Sequence, residues 1–157
     1  MRIADLMITP PVTVPLHATA HRAAARMAEQ SVGCVLVTGP DGLHGVLTDR
    51  DLALRTLAAG LGPDTPVSGL MSAPVTTVDA ADELGTAYRT FRRTGVRRLP
   101  VLDGGRLVGL LSVDDLFLDV LQRLEDLLGP LSWSTLREGA AGPGAAGPPP
   151  DHLRSTS

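Results

Sequence analysis

Four classes of feature are scarce in this chain. Its 157 residues hold one cysteine, Cys34, so neither an intramolecular disulfide nor a cysteine-based zinc site can form. Aromatics make up only 3%, which leaves Val, Leu, Ala and Met to fill any core. There is no basic excess. A net charge of −3 supplies no long-range attraction to nucleic acid or to an acidic membrane, and neither is expected as a partner. No apolar run approaches the roughly 18 residues a membrane span needs. The first residues, Met1-Arg2-Ile3-Ala4-Asp5, lack the continuous apolar segment of a signal peptide. With a single thiol, the expected setting is the reducing cytoplasm. What remains, 43% hydrophobic and 20% charged, is the balance of a globular protein.

The chain does contain a repeat. Leu6-Met7 returns as Leu70-Met71, an offset of 64, and the register then holds without gaps. Pro10, Thr13, Val14, Ala23, Val32 and Val37 meet Pro74, Thr77, Val78, Ala87, Val96 and Val101. Leu43, Gly45, Leu47, Asp51, Leu52 and Leu54 meet Leu107, Gly109, Leu111, Asp115, Leu116 and Leu118. Chance would match roughly 3–4 of the positions from Leu6 to Leu54; duplication accounts for the rest.

Each copy reads as strand, helix, strand, strand, helix. Val12-Thr13-Val14 is a short β-branched run after two prolines. Ala20, Ala23, Ala24, Met27 and Ala28 have helical spacing, as do Leu84, Ala87, Tyr88 and Phe91. Strands are predicted over 35–37, 43–48, 99–102 and 107–112, with turns at Gly39-Pro40-Asp41-Gly42 and Asp103-Gly104-Gly105. Helices are predicted over 49–59 and 113–128. One such unit is too small to hide its apolar face, so two must pack together. The expected organisation is repeat 1 over 1–60, a Gly/Pro linker over 61–66, repeat 2 over 67–128, and a Gly/Ala/Pro tail over 129–157 that is disordered from about 139.

Each repeat opens on Leu-Met and closes on a Gly–hydrophobic–hydrophobic–Thr/Ser–x–x–Asp segment. The copies are Gly45-Val46-Leu47-Thr48-Asp49-Arg50-Asp51 and Gly109-Leu110-Leu111-Ser112-Val113-Asp114-Asp115. With Arg97-Arg98-Leu99-Pro100-Val101 before the second, residues 2–122 resemble the tandem cystathionine-β-synthase (CBS) domain family. The stretch 43–61 is especially similar to small stand-alone bacterial pairs of the hypoxia or stress-response type. The resemblance implies an α/β fold of two βαββα repeats in a pseudo-two-fold pair. It implies clefts for AMP, ADP, ATP or S-adenosylmethionine, with no required cofactor. By position it places Thr48 and Asp51 at one cleft and Ser112 and Asp115 at the other. Thr13, Val14, Thr77, Val78, Leu36 and Pro100 become walls for the adenine, or ordinary core.

These roles make chemical sense. A carboxylate can accept two charge-assisted hydrogen bonds from a ribose diol. A hydroxyl at a strand-to-helix junction sits where backbone N–H groups favour an anion; the same residues also serve as plain helix caps. Arg50, Arg97 and Arg98 are the phosphate candidates, since a guanidinium grips an oxyanion bidentately. By strand alternation only one of Arg97 and Arg98 faces inward. The second motif carries Val113-Asp114 where the first carries Asp49-Arg50, so the second cleft is expected to bind polyphosphate less well. The four histidines show no metal-ligand spacing. No Ser/His/Asp set or phosphate-cradling glycine loop suggests catalysis. The expectation is a regulatory binding module, not an enzyme; the alternative is a ligand-free dimerisation module. Helices 113–128 and 49–59 are the expected homodimer surface, and any other protein partner is not legible.

Overall fold

The computed structural model describes residues 1–139, and the side-chain surroundings of residues 1–129. Contacts divide the chain after Leu118 into a compact unit Met1–Leu118 and a second unit Asp119–Ser157. The fold is mixed α/β, as expected.

The first repeat holds β1 (Thr13–Pro15), α1 (Ala20–Gln30), β2 (Cys34–Gly39), β3 (Gly42–Thr48) and α2 (Asp49–Leu52). The second holds β4 (Val78–Asp79), α3 (Leu84–Thr94), β5 (Arg98–Asp103), β6 (Arg106–Ser112) and α4 (Val113–Gly139). Each forms a three-stranded sheet with the middle strand parallel to the first and antiparallel to the third. The registers repeat too. Val37 faces Gly45 as Val101 faces Gly109, and both ladders shift one residue further on.

Local chemistry explains the element ends. The Thr19 side chain accepts the Arg22 N–H and caps α1. Gly95 ends α3 at φ 69°, a left-handed turn that glycine adopts without a Cβ penalty. Two elements differ from expectation. The helix after Thr48 is α-helical only to Leu52 and continues as a π-helix, Ala53–Leu57. There the Thr56 hydroxyl donates to Leu52 O, and the Ala58 N–H bonds Ala53 O five residues back, the π-helical spacing. The last helix runs through Gly129 and Pro130 to Gly139 instead of stopping at 128. The residues after Pro130 include the good helix formers Leu, Arg and Glu, so the Gly129-Pro130 pair does not end it. The expected disorder of the tail concerns residues outside those described.

The two cores are built by exchange. Ile3, Leu6 and Met7 pack with Val78, Leu84, Phe91, Leu99 and Leu111 of the second repeat. Val67, Leu70 and Met71 pack with Val14, Met27, Val35 and Leu47 of the first. Backbone pairs seal both crossings: Ile8 N–H to Leu110 O at 2.8 Å with its reciprocal at 3.0 Å, and Val46 N–H to Ser72 O at 3.1 Å with its reciprocal at 2.9 Å. The repeat as a sequence unit and the core as a packing unit do not coincide.

Candidate functional site

A cavity of about 270 Å³ is lined by Val46, Thr48 and Asp51 from the first motif, the crossing segment Ser72, Pro74, Val75 and Thr76, and Val96, Arg97 and Arg98 before and on β5. Three sequence-selected groups therefore meet there: the Thr48/Asp51 pair, Arg97 and Arg98.

Asp51 is held from two sides. Its Oδ2 accepts the Thr48 N–H at 3.0 Å while Thr48 Oγ1 accepts the Asp51 N–H at 3.1 Å, a reciprocal capping box that fixes both side chains. Its Oδ1 lies 3.4 Å from Arg55 Nη2, one helical turn on. Arg55 also donates to Leu70 O at 2.6 Å and to Ser72 Oγ at 3.2 Å, so it ties the carboxylate to the opposite wall. Sequence reasoning did not select Arg55; its signal was the i, i+4 spacing from Asp51. Each carboxylate oxygen has two acceptor directions, so capacity for ribose hydroxyls remains.

The arginines differ. Arg98 is half-buried on β5 and, among the described residues, forms no ion pair. Arg97 is exposed and pairs with Asp114, Nη2 to Oδ1, at 2.9 Å. Cys34, paired with Thr48 on the adjoining strand, senses the same neighbourhood. Burial pushes its thiol up to about 11; the Arg98 guanidinium pulls it down, and Asp51 and Asp49 push it further up.

Other selected residues lie elsewhere. Arg50 is exposed and does not line this cavity. Val14 and Val78 sit in the two cores, and Leu36 and Pro100 are fully buried. Thr13 is half-buried opposite Leu36 on β1. Thr77 lines a different cavity, with His44 and Leu102. The apolar positions of the cavity are instead Val46, Pro74, Val75 and Val96. Segment 72–76 gave no local signal beyond the match of Pro74 to Pro10.

The second motif repeats the box with one change. Asp115 Oδ2 accepts the Ser112 N–H at 2.9 Å, Ser112 Oγ accepts the Asp115 N–H at 3.1 Å, and the Ser112 hydroxyl also donates to Asp115 Oδ2 at 2.6 Å. At the offset of 64, the counterparts of Arg97, Arg98 and Arg55 are Gly33, Cys34 and Asp119. The three cations have no basic equivalent there.

The duplicated motif, the reciprocal crossing and the shared cleft agree with the sequence comparison: the CBS domain model matches residues 3–56 and 67–121. The chain belongs to the CBS domain family. The CBS domain-containing protein YhcV of Bacillus subtilis is 38% identical over 114 residues, 73% of this chain and 81% of that protein. Hypoxic response protein 1 of Mycobacterium tuberculosis is 37% identical over 114 residues, 71% of this chain and 80% of that protein. A crystal structure of Hypoxic Response Protein I with two coordinated zinc ions gives a TM-score of 0.67 at 35% identity, covering 74% of this chain and 96% of that one. The CBS domain protein PAE2072 from Pyrobaculum aerophilum, complexed with AMP, gives 0.66 at 32% identity, covering 73% and 89%. Among the described residues of this CBS pair, no group of three or more His, Cys, Asp or Glu is placed to hold a metal, and no helix is long and apolar enough to cross a membrane.

Proposed function

We propose that this chain is a regulatory module that binds an adenosine phosphate in the Thr48/Asp51/Arg98 cavity, acts as a homodimer in the cytoplasm, and carries no catalysis of its own. The observation that carries this reading is one carboxylate and two guanidinium groups lining a single cavity. Asp51 accepts from the ribose hydroxyls, Thr48 contacts ribose or phosphate, and Arg98 meets the phosphate. The apolar residues Val46, Pro74, Val75 and Val96 provide the slot for adenine. At about 270 Å³ the cavity is close to the lower end of the roughly 300–1,000 Å³ range of small-molecule sites, which suits a nucleoside with its phosphate at the open rim. Two guanidinium groups favour AMP, ADP or ATP over the sulfonium cation of S-adenosylmethionine. PAE2072, complexed with AMP, supports the ligand class, and the name of the mycobacterial relative is in keeping with a stress-response setting.

A second reading, a ligand-free dimerisation module, has its own support: both hydroxyl–carboxylate pairs already satisfy one another as helix caps. Thermal melts with AMP, ADP, ATP and S-adenosylmethionine separate the two. A true ligand at 100 times its Kd stabilises by about 2.7 kcal/mol. Asp51→Ala removes charge-assisted hydrogen bonds of about 1.5–3 kcal/mol each and should weaken AMP at least tenfold, with a smaller loss from Asp115→Ala. No stabilisation by any of the four, in folded protein, overturns the nucleotide reading in favour of the second.

A further inference from the structure

The Arg97–Asp114 ion pair joins groups with different allegiances. Arg97 lines the cavity beside Thr48 and Asp51. Asp114 belongs to the second motif and occupies the position that Arg50 holds in the first. Both side chains are largely exposed, 66% and 71%, so the pair lies in high dielectric and is readily exchanged. A carboxylate and a phosphate offer a guanidinium the same chemistry, an oxyanion acceptor. Asp114 also lies in the first turn of α4, where the backbone N–H groups stabilise its charge when the guanidinium leaves.

We propose that Asp114 is a built-in competitor for the phosphate of the cavity's ligand. It holds Arg97 in the empty protein, yields it to an incoming phosphate, and so sets the cavity's discrimination between phosphorylated and unphosphorylated adenosine. The proposal rests on the nucleotide reading above and adds to it the residue that tunes its charge selectivity. It also links the first cavity to the second motif, because filling the one releases a side chain of the other.

Calorimetric titration of the full chain with AMP and with adenosine tests this. Asp114→Asn should tighten AMP roughly two- to fivefold, the range of an exposed ion pair, and leave adenosine unchanged. Arg97→Ala should weaken AMP and abolish the gain, so that Arg97→Ala/Asp114→Asn binds AMP like Arg97→Ala alone. Asp103→Asn at the β5–β6 turn makes the same change in net charge and should leave AMP affinity alone. Circular dichroism confirms that each variant is folded. An unchanged AMP affinity in Asp114→Asn, an equal gain for adenosine, or the same gain without Arg97 overturns the competitor role while leaving the cavity's ligand class standing. Wild-type protein that binds neither AMP nor adenosine overturns both.

Discussion

Met71 lies across Gly45: a Cβ on that glycine would collide with the Met71 sulfur and with its Cγ at 2.7 Å. The counterpart contact sets Met7 against Gly109, where a Cβ would meet Met7 Sδ at 2.6 Å and Ile8 O at 3.0 Å. The Leu-Met that opens each repeat and the glycine that opens each closing motif are therefore two halves of one contact, made between copies. This reciprocal contact holds the crossing segment against the strand that delivers Thr48 or Ser112.

Gly45→Ala and Gly109→Ala should each destabilise by about 1–3 kcal/mol, the usual cost of overpacking. At this chain length that lowers Tm by roughly 2–4 °C per kcal/mol. Gly109→Ala should cost more, because a backbone oxygen yields less readily than a methionine tip. Denaturant melts of both variants measure this; two unchanged midpoints would mean that the approach is not close in solution.

In the proposed nucleotide site Arg55 would act on the ligand only indirectly, through Asp51 and the 70–72 wall. Arg55→Ala should weaken AMP and adenosine alike, roughly two- to tenfold, because the ribose-facing carboxylate loses its anchor whichever ligand is present. Arg98→Ala should weaken AMP and spare adenosine. Titrations of both variants with both ligands distinguish positioning from phosphate contact; a loss confined to AMP in Arg55→Ala would make that residue a phosphate ligand instead.

Much of this was legible in the chain because its chemistry is local. The Thr48–Asp51 and Ser112–Asp115 boxes each span three residues at a strand end, and the repeat itself predicts the two sheets. Long-range features left no such trace. Segment 72–76 reaches the Thr48 cavity only because the two copies exchange their leading segments, which no periodicity encodes. Arg50 was selected for its place in the motif, yet residues 50 and 51 are consecutive on a helix and do not share a face. Val14, Leu36, Val78 and Pro100 were considered as adenine walls, but Leu36 and Pro100 lie on middle strands covered on both faces, and Val14 and Val78 are the core-facing residues of the edge strands β1 and β4. Both arginines of the 97–98 pair line the cavity, although strand alternation predicts one, because Arg97 precedes the strand and only Arg98 belongs to β5.

Cys34 makes the protein sensitive to alkaline pH. Burial raises its thiol from 9.0 to about 11. The folded state therefore keeps a proton that the unfolded chain releases, and stability falls as pH rises from about 9 through about 11. The contribution is on the order of 3 kcal/mol, fully present below pH 9 and lost as pH rises through about 11. Cys34→Ala should flatten the dependence of stability on pH across that window. Alkylation of the folded protein by iodoacetamide should stay slow at pH 8, where the thiol is protonated and buried. Rapid labelling at that pH without unfolding would show the thiol to be accessible and its pKa ordinary.

The proposed homodimer rests on apolar side chains that the described structure leaves in water. Leu57 on the π-helix is 81% exposed, and α4 carries Phe117 at 61%, Leu121 at 45% and Leu124 at 50%. Phe117, Leu121 and Leu124 follow helical spacing, so they form one stripe. A helix bearing such a stripe has an apolar face to cover, and contiguous exposed patches of this kind mark interaction surfaces. In the proposed homodimer a second copy of the chain would cover it. Leu121→Asp would then bury an unpaired carboxylate, at a cost of at least about 2 kcal/mol, which weakens the dimer roughly 30-fold or more. Light scattering at micromolar concentration should give a dimer mass for the wild type and a monomer mass for Leu121→Asp, with unchanged circular dichroism. Leu57→Asp should act in the same direction. A wild type that scatters as a monomer, or a Leu121→Asp variant that keeps the dimer mass, would remove this face from the interface.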